Sequence, residues 1–479
     1  MNLSQKLFDY FGFKSFRPGQ KEILELLIAG KNTLAVLPTG GGKTLIYQMF
    51  GAMTNRTVLI VSPLISLMED QVARLQFLGS KNVVAINSLI SPQDRFSALK
   101  NLKQFKFIYI SPEMLSNPKV ISQIQRLDIG LLVVDEAHCI STWGPDFRPD
   151  YLKLGDVRKK LKSPLTLMMT ATANRQTRAD IIKKMGFKSS EVKSFVLPIN
   201  RPNIFLAAKQ FLNETQKDQM LVKLVSKIHS PGIIYFSNKQ KTEEISSLLN
   251  QRTDKKVLPY HAGLDTASRM KVQQQFMNDD VDIICATSAF GMGIDKNNIR
   301  FVIHYHIPDS LSDYVQEIGR AGRDNKQSVA IALYEPNDRF IQQNLIDLSM
   351  PNFKQIEYIY QHPDIEFDTD QYRILRYYFE NSPSKEETEN EFKNIRIFRQ
   401  KQLDKMVKYV QFTQCRRKFL NNDFDQSDNR TDSKRCCDND FEFWENSEEF
   451  NQKYLNKLRK KSVPSDWRKV VNNLFLLKN

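Results

Sequence analysis

Between residues 33 and 334, short apolar runs alternate with longer segments in which apolar and charged positions are mixed. The runs at 33–37, 57–61, 107–110, 131–134 and 165–169 each lead into a polar or glycine-containing loop. Such runs, spaced by helix-length intervals, predict buried strands of a parallel sheet joined by crossover helices. The rhythm pauses at Pro198-Ile199-Asn200-Arg201-Pro202, then resumes with runs at 232–236, 257–259, 283–286, 301–305 and 329–334. Two α/β domains are therefore expected, at 1–200 and 201–340. Beyond about residue 340 the runs cease. Helical stretches follow, one of them at 398–420, then an Asp/Asn-rich piece at 421–440 around adjacent cysteines. The last segment, 446–479, carries Lys453, Lys457, Arg459, Lys460 and Lys461. Such a basic face is either solvated or an electrostatic contact for nucleic acid.

Composition narrows the classes. A chain of 479 residues, 41% apolar, has room for two or three domains with cores of their own. The formal net charge of +15 points to a polyanionic partner such as nucleic acid, against a generically basic surface. The five cysteines, Cys139, Cys285, Cys415, Cys436 and Cys437, are too few and too uneven for a disulfide framework, so a reducing compartment is expected. No apolar stretch approaches the roughly 20 residues that span a bilayer. The expected setting is cytoplasmic, away from membranes.

The chemistry begins in the loop after the first run, Leu37-Pro38-Thr39-Gly40-Gly41-Gly42-Lys43-Thr44. Small residues let consecutive backbone N–H groups close around phosphate oxygens. Lys43 then reaches the outer phosphates, and the Thr44 hydroxyl can ligate magnesium. Leu37 stands where the first glycine of the usual phosphate-loop pattern would be. Asp135-Glu136-Ala137-His138 follows the run at 131–134, at the carboxyl end of a predicted strand, where open α/β sheets bind ligands. There Asp135 would hold the same metal and Glu136 would polarise an attacking water.

The second domain supplies Gln316-Glu317-Ile318-Gly319-Arg320-Ala321-Gly322-Arg323-Asp324. Its two arginines, three apart, lie on one helical face or in a turn. They are candidates to neutralise charge developing on a γ-phosphate, or else form structural ion pairs. A phosphate loop in one domain and arginines in the other make hydrolysis depend on domain closure, which is the logic of a translocase.

Together these motifs resemble the superfamily 2 helicases, and more narrowly the RecQ family of DNA helicases, from about residue 3 to about residue 440. Phe11-Gly12-Phe13-Lys14-Ser15-Phe16-Arg17-Pro18-Gly19-Gln20 is similar to the family's first motif. The resemblance implies that Phe13 stacks on adenine, Gln20 reads its edge and Arg17 assists at the nucleotide. The stretches beginning Val61-Ser62-Pro63 and Ile110-Ser111-Pro112 resemble strand-gripping loops. Thr170-Ala171-Thr172-Ala173 resembles the motif coupling ATP to DNA. Ala289-Phe290-Gly291-Met292-Gly293-Ile294-Asp295-Lys296, with His261-Ala262-Gly263-Leu264, matches the second motor domain, and Asp295 joins the implied ATP site.

After His138 the chain offers Trp143, Phe147 and Arg148, whose flat faces suit stacking on unpaired bases; packing into a core is the alternative. This stretch resembles the family's aromatic-rich loop, with Pro145 where relatives carry histidine. Cys415 on the predicted helix, followed by Cys436-Cys437-Asp438, resembles the family's zinc-binding subdomain, expected at 341–445. Here Lys434 and Asp440 replace two of its usual cysteines. Cys415, Cys436, Cys437 and Asp440 remain a candidate four-ligand set. Adjacent cysteines and the lysine make a degenerate, metal-free site the expectation.

The fold expected is α/β, two tandem RecA-like parallel-sheet domains followed by a mainly helical, degenerate zinc-type subdomain. Some 35 residues after Phe443 are too few for a winged-helix and a terminal helical domain, so a short form is expected. The implied activity is ATP- and Mg²⁺-dependent, 3′-to-5′ DNA unwinding on single-stranded and forked DNA, in repair or recombination. The alternative is a DNA-stimulated ATPase or strand-annealing protein with weak unwinding. No protein partner is indicated.

Overall fold

The computed structural model describes residues 2–63, 65–77, 79–141, 149–291, 296–364, 369–382, 384–426, 436–439 and 444. Trp143, Phe147, Arg148, Asp295, Asp440 and the basic segment 446–479 lie outside the described residues. Seven strands form the first sheet: β1 (Asn32–Val36), β2 (Thr57–Val61), β3 (Val83–Ile86), β4 (Phe107–Ile110), β5 (Ile129–Val134), β6 (Thr166–Thr170) and β7 (Val192–Val196). Their order is β3-β4-β2-β5-β6-β1-β7, and every neighbouring pair is parallel. Six strands form the second: β8 (Ile204–Gln210), β9 (Gly232–Tyr235), β10 (Val257–Tyr260), β11 (Ile283–Ala286), β12 (Phe301–His304) and β13 (Ser328–Tyr334). They run in the order β10-β11-β9-β12-β13-β8, again all parallel.

The unbroken apolar runs are explained by helices on both faces of each sheet. Because side chains alternate along a strand, one run feeds two cores. In β5, Leu131 and Val133 enter one cluster with Ile23, Leu24 and Met49, while Leu132 and Val134 enter another with Ile140, Tyr151 and Ile181. In β13, Ala330 and Ala332 face one core, and Val329, Ile331 and Leu333 the other.

Three strands escaped the hydropathy pattern. β3 and β7 are edge strands; β7 leaves Lys193 and Ser194 exposed and does not read as a buried run, while β3, though apolar, leaves Val84 and Ala85 only half-buried. β8 directly follows the proline-bracketed pause and reads as its continuation, yet it pairs with β13 from Ile204 to Gln210.

The helical part differs from expectation at one point. The stretch 398–420 is not continuous: one helix spans Lys385–Gln411 and a second spans Arg416–Asp423. The terminal carbonyls of the first are taken by a side chain, since Arg416 Nη1 donates to Tyr409 O at 2.7 Å and Val410 O at 3.2 Å. Asn439 Nδ2 holds the intervening turn through Phe412 O and Gln414 O. Cys415, expected within a helix, therefore caps the start of Arg416–Asp423.

The 27-residue helix is a rod about 40 Å long. Its later half puts Leu403, Met406 and Tyr409 into a core of the second sheet. Its first half joins Phe392 and Ile395 to a separate cluster with Ile356, Ile359, Leu375 and Tyr378. The helix Asp370–Asn381 in that cluster packs against the helix Pro149–Leu152 of the first lobe. Among the described residues no helix is long and apolar enough to cross a membrane.

Candidate active site

The phosphate loop leaves the carboxyl end of β1 and opens the helix Lys43–Thr54. Gly40 and Gly42 take φ of 78° and 72°, the left-handed region that disfavours any side chain. Gly41 N–H donates to Pro38 O, and Leu37 N–H to Thr170 O, each at 3.0 Å. Gln20, buried beside the loop, clamps it: Nε2 donates to Gly42 O at 2.9 Å and Oε1 accepts from Arg17 N–H at 2.8 Å. A Cβ on Gly42 would stand 2.4 Å from Gln20 Nε2, so the clamp also requires glycine there. Arg17 Nη1 donates to Gly40 O. Gln20, expected at the adenine edge, thus spends its amide on the loop itself, while Phe13 presents a ring that is 46% exposed.

β5 ends at Val134, and the backbone turns sharply at Glu136, which sits at φ 46° and ψ 48°. Lys43 Nζ lies 3.5 Å from Glu136 Oε1. Burial first, and the neighbouring Glu136 second, push the Asp135 carboxyl above the usual carboxylate range, with Lys43 opposing. The fully buried His138 places Nδ1 at 3.4 Å from Glu136 Oε2 and 2.8 Å from Thr170 Oγ1. Thr170 Oγ1 also lies 3.1 Å from Thr172 O, which joins His138 to the 170–173 motif. Beneath the carboxylates, Tyr47 and Tyr109 pair hydroxyls at 3.3 Å. Burial raises the Tyr47 phenol well above its ordinary value, and the Thr44 hydroxyl beside it lowers it in part.

The two arginines part company. The helix Leu311–Ile318 ends at Gly319, and the chain passes through consecutive turns that aim Arg320 and Arg323 differently. Arg320 is buried in the second lobe and donates to Gly291 O. Arg323 crosses to the phosphate loop, with Cγ and Cδ 3.4 Å from where a Cβ on Gly40 would be. Beside it Thr39 Oγ1 donates to Gly319 O at 2.9 Å. A Cβ on Gly319 would meet that oxygen at 2.3 Å, so the lobes touch here because the residue is glycine.

Residues 17–181 match the family model described as DEAD/DEAH box helicase, and residues 216–325 match Helicase conserved C-terminal domain. The chain is 44% identical over 354 residues to the probable ATP-dependent DNA helicase RecS of Bacillus subtilis, covering 74% of this chain and 71% of that protein. It is 39% identical over 351 residues to the ATP-dependent DNA helicase RecQ of the same organism, covering 72% and 58%. The chain belongs to the RecQ family of ATP-dependent DNA helicases. It spans less than two thirds of the Bacillus subtilis RecQ protein. Among solved structures, Mycobacterium smegmatis helicase Lhr bound to ssDNA and AMP-PNP superposes with a TM-score of 0.58 at 20% identity, over 76% of this chain and 50% of that one. Mss116p bound to ssRNA and AMP-PNP gives 0.58 at 15% identity, over 89% and 90%. At such identities the likeness is one of fold: both sheets are RecA-like.

Of the residues expected at nucleic acid, Ser62, His138 and Thr170 lie among the described residues. Thr170 sits between His138 and Thr172, as above. Ser62, at the carboxyl end of β2, is buried, and its Oγ has no hydrogen-bond partner among the described residues.

The cysteine-bearing segment is attached to the second sheet. Leu206 N–H donates to Cys436 O, and Asp438 N–H donates to Leu206 O, which lays residues 436–438 along the free edge of β8. The Asp438 carboxylate accepts from Arg416 and from Ala208 N–H. This fastening brings Cys415, Cys436 and Cys437 together with all three sulfurs within 4.8 Å of one another. Thiolates about 2.3 Å from one zinc in tetrahedral geometry stand about 3.8 Å apart; Cys415 Sγ and Cys436 Sγ are 3.3 Å apart, so the trio is a candidate for three of the four positions. The adjacent pair, expected to strain such a site, presents both sulfurs to Cys415. Those two thiols first, and then the N–H groups opening the helix Arg416–Asp423, hold the Cys415 thiol well below its ordinary value.

Sequence reasoning missed the residues that support the site. Arg201, read only as part of a linker, wraps the arginine turn by donating to Gly322 O at 2.6 Å and Ala321 O at 3.3 Å. Arg417 holds Ile204 O and the Asn200 side chain. An arginine in the proline-bracketed pause, and another two residues after Cys415, were the available signals.

Proposed function

We propose that this chain hydrolyses ATP with Mg²⁺ at the cleft between its lobes, moves 3′ to 5′ on single-stranded DNA and opens forked duplexes, in repair or recombination. The observation that carries the reading is the approach of Arg323 in the second lobe to Gly40 of the phosphate loop in the first. An arginine supplied across a cleft in this way contributes about 10³–10⁵ in rate to nucleotide hydrolysis.

In this reading Lys43, now 3.5 Å from Glu136, transfers to the incoming phosphates. Glu136 is then released to accept a proton from the attacking water, with His138 Nδ1 standing 3.4 Å from its far oxygen. Asp135 and Thr44 would hold Mg²⁺, and a pair of carboxylates reluctant to ionise together suits a divalent cation. When bound, that ion supplies charge neutralisation at the phosphates. Arg323 compensates charge developing on the γ-phosphate, while Arg320 braces the turn that carries it. Phe13 offers a ring to the base, Arg17 and Gln20 hold the loop, and Asp295 completes the nucleotide site. Trp143, Phe147 and Arg148 would stack on unpaired bases, with Ser62 and Thr170 in the coupling motifs. Cys415, Cys436 and Cys437 would hold a structural zinc, with Asp440 as the candidate fourth ligand.

The test is ATP turnover with single-stranded DNA or RNA of equal length, followed by unwinding of a forked duplex. Stimulation by DNA above RNA, with strand release from a fork bearing a 3′ tail, is expected. Stimulation without strand release would make the chain a DNA-stimulated ATPase. No stimulation by DNA would overturn the reading.

A further inference from the structure

Tyr151 is fully buried, and nothing in the sequence motifs marks it. It lies on the short helix Pro149–Leu152, which packs against the turn Ala137–Ile140 directly after the catalytic carboxylates. Its hydroxyl donates to Asp135 O at 3.0 Å. That carbonyl belongs to the peptide linking Asp135 to Glu136, so its orientation sets the direction of both side chains.

The peptides on either side of Asp135 are held at two further points. Asp135 N–H donates to Val61 O at 2.9 Å, which keeps the residue on the sheet. Glu136 N–H donates back to Asp135 Oδ1 at 3.0 Å. Between these bonds the backbone turns to φ 46° at Glu136, a left-handed conformation costing a non-glycine residue about 1–2 kcal/mol. A strained turn of this kind persists only where its surroundings fix it. The Tyr151 hydroxyl is one such constraint, anchored in turn by the burial of its ring in the core cluster that includes Ile140, Leu154 and Ile181.

We infer that Tyr151 is a positioning residue for ATP hydrolysis, its hydroxyl orienting the Asp135–Glu136 peptide so that metal-binding and water-activating carboxylates face the phosphate loop together. This rests on the proposed hydrolytic function. Tyr151 touches neither nucleotide nor water in this account; it acts through the backbone of its neighbours. Loss of the hydroxyl leaves the phosphate loop intact, so binding of ATP is unaffected and turnover falls.

The experiment compares the full chain with Tyr151→Phe, which keeps the buried ring. Tyr314→Phe serves as a control, because Tyr314 is a fully buried tyrosine of the second lobe whose hydroxyl pairs with Tyr409. Expected for Tyr151→Phe are an ATP Kd and KM within twofold of the parent, kcat lowered about tenfold, and a higher Mg²⁺ concentration for half-maximal rate. Tyr314→Phe should keep the parental kcat and Mg²⁺ dependence. A parental kcat in Tyr151→Phe overturns the inference. So does a Tyr151→Phe protein that melts far below the parent, since the hydroxyl would then be holding the fold. An unaltered chain without ATPase activity would instead strike the proposed function on which the inference stands.

Discussion

At the scale of single residues, Lys43 and Glu136 form a partly buried pair, and in the proposed reading the nucleotide competes for its lysine. Replacing Glu136 with Gln removes the proton acceptor and leaves Lys43 and Asp135 in place. Turnover should then fall by about 10²–10⁴ while ATP still binds, as equilibrium titration with a fluorescent nucleotide would read. Near-parental turnover would assign the base elsewhere. Arg320→Ala makes a different claim. Its guanidinium is buried against Gly291 O, so its loss should cost about 1–3 kcal/mol of stability, seen as a lower unfolding midpoint. Lys43, Asp135 and Glu136 were legible because each motif is contiguous and its chemistry local. The clamp by Gln20 and the burial of Arg320 were not, since both depend on where separate segments meet.

At the scale of elements, the sheets were legible where strands are buried on both faces, while the strands that escaped, β3, β7 and β8, lie at sheet edges, although the edge strand β10 was legible. The break at 412–415 was hidden for another reason: the carbonyls it frees are satisfied by Arg416 and by Asn439, from a segment beyond the helix. Similar long-range fastening joins the helices Glu214–Lys227 and Pro336–Leu348. Lys217 Nζ meets both Asp338 oxygens at 2.7 Å with neither side chain exposed. Burial lowers the Lys217 ammonium pKa and pushes the Asp338 carboxyl up to about 6, so desolvation outweighs their attraction in both partners. Lys217→Met should therefore strand a buried carboxylate and cost about 3–5 kcal/mol in urea unfolding, while Lys217→Met with Asp338→Leu should recover most of it. A single variant as stable as the parent would show that water reaches the site. The three cysteines give the other element-scale prediction. Protein grown with zinc should carry about one ion per chain, lost with a lowered melting temperature in Cys437→Ser. Metal-free parental protein of unchanged stability would return the segment to a remnant held by hydrogen bonds, those of Asp438 to Arg416 and β8 among them.

At the scale of the whole molecule, two RecA-like lobes face each other across a cleft, and the rod Lys385–Gln411 is built into the core of the second. Its outer end carries the helix Asp370–Asn381, which leans on Pro149–Leu152 of the first lobe. Opening the cleft must therefore disturb this contact as well as the one between Thr39 and Gly319. The two-lobe plan was legible from the restart of the apolar rhythm after residue 200. The strap of helices across the lobes was not, because its cluster of Ile356, Ile359, Leu375, Tyr378, Phe392 and Ile395 is assembled from three helices without a motif. The central claim is that hydrolysis requires a group from each lobe. It is tested most directly by single-turnover hydrolysis of saturating ATP on single-stranded DNA, parent against Arg323→Ala. The account predicts parental ATP affinity and a rate lowered by about 10³ or more. A variant that hydrolyses ATP at the parental rate would contradict it, leaving the site complete within the first lobe.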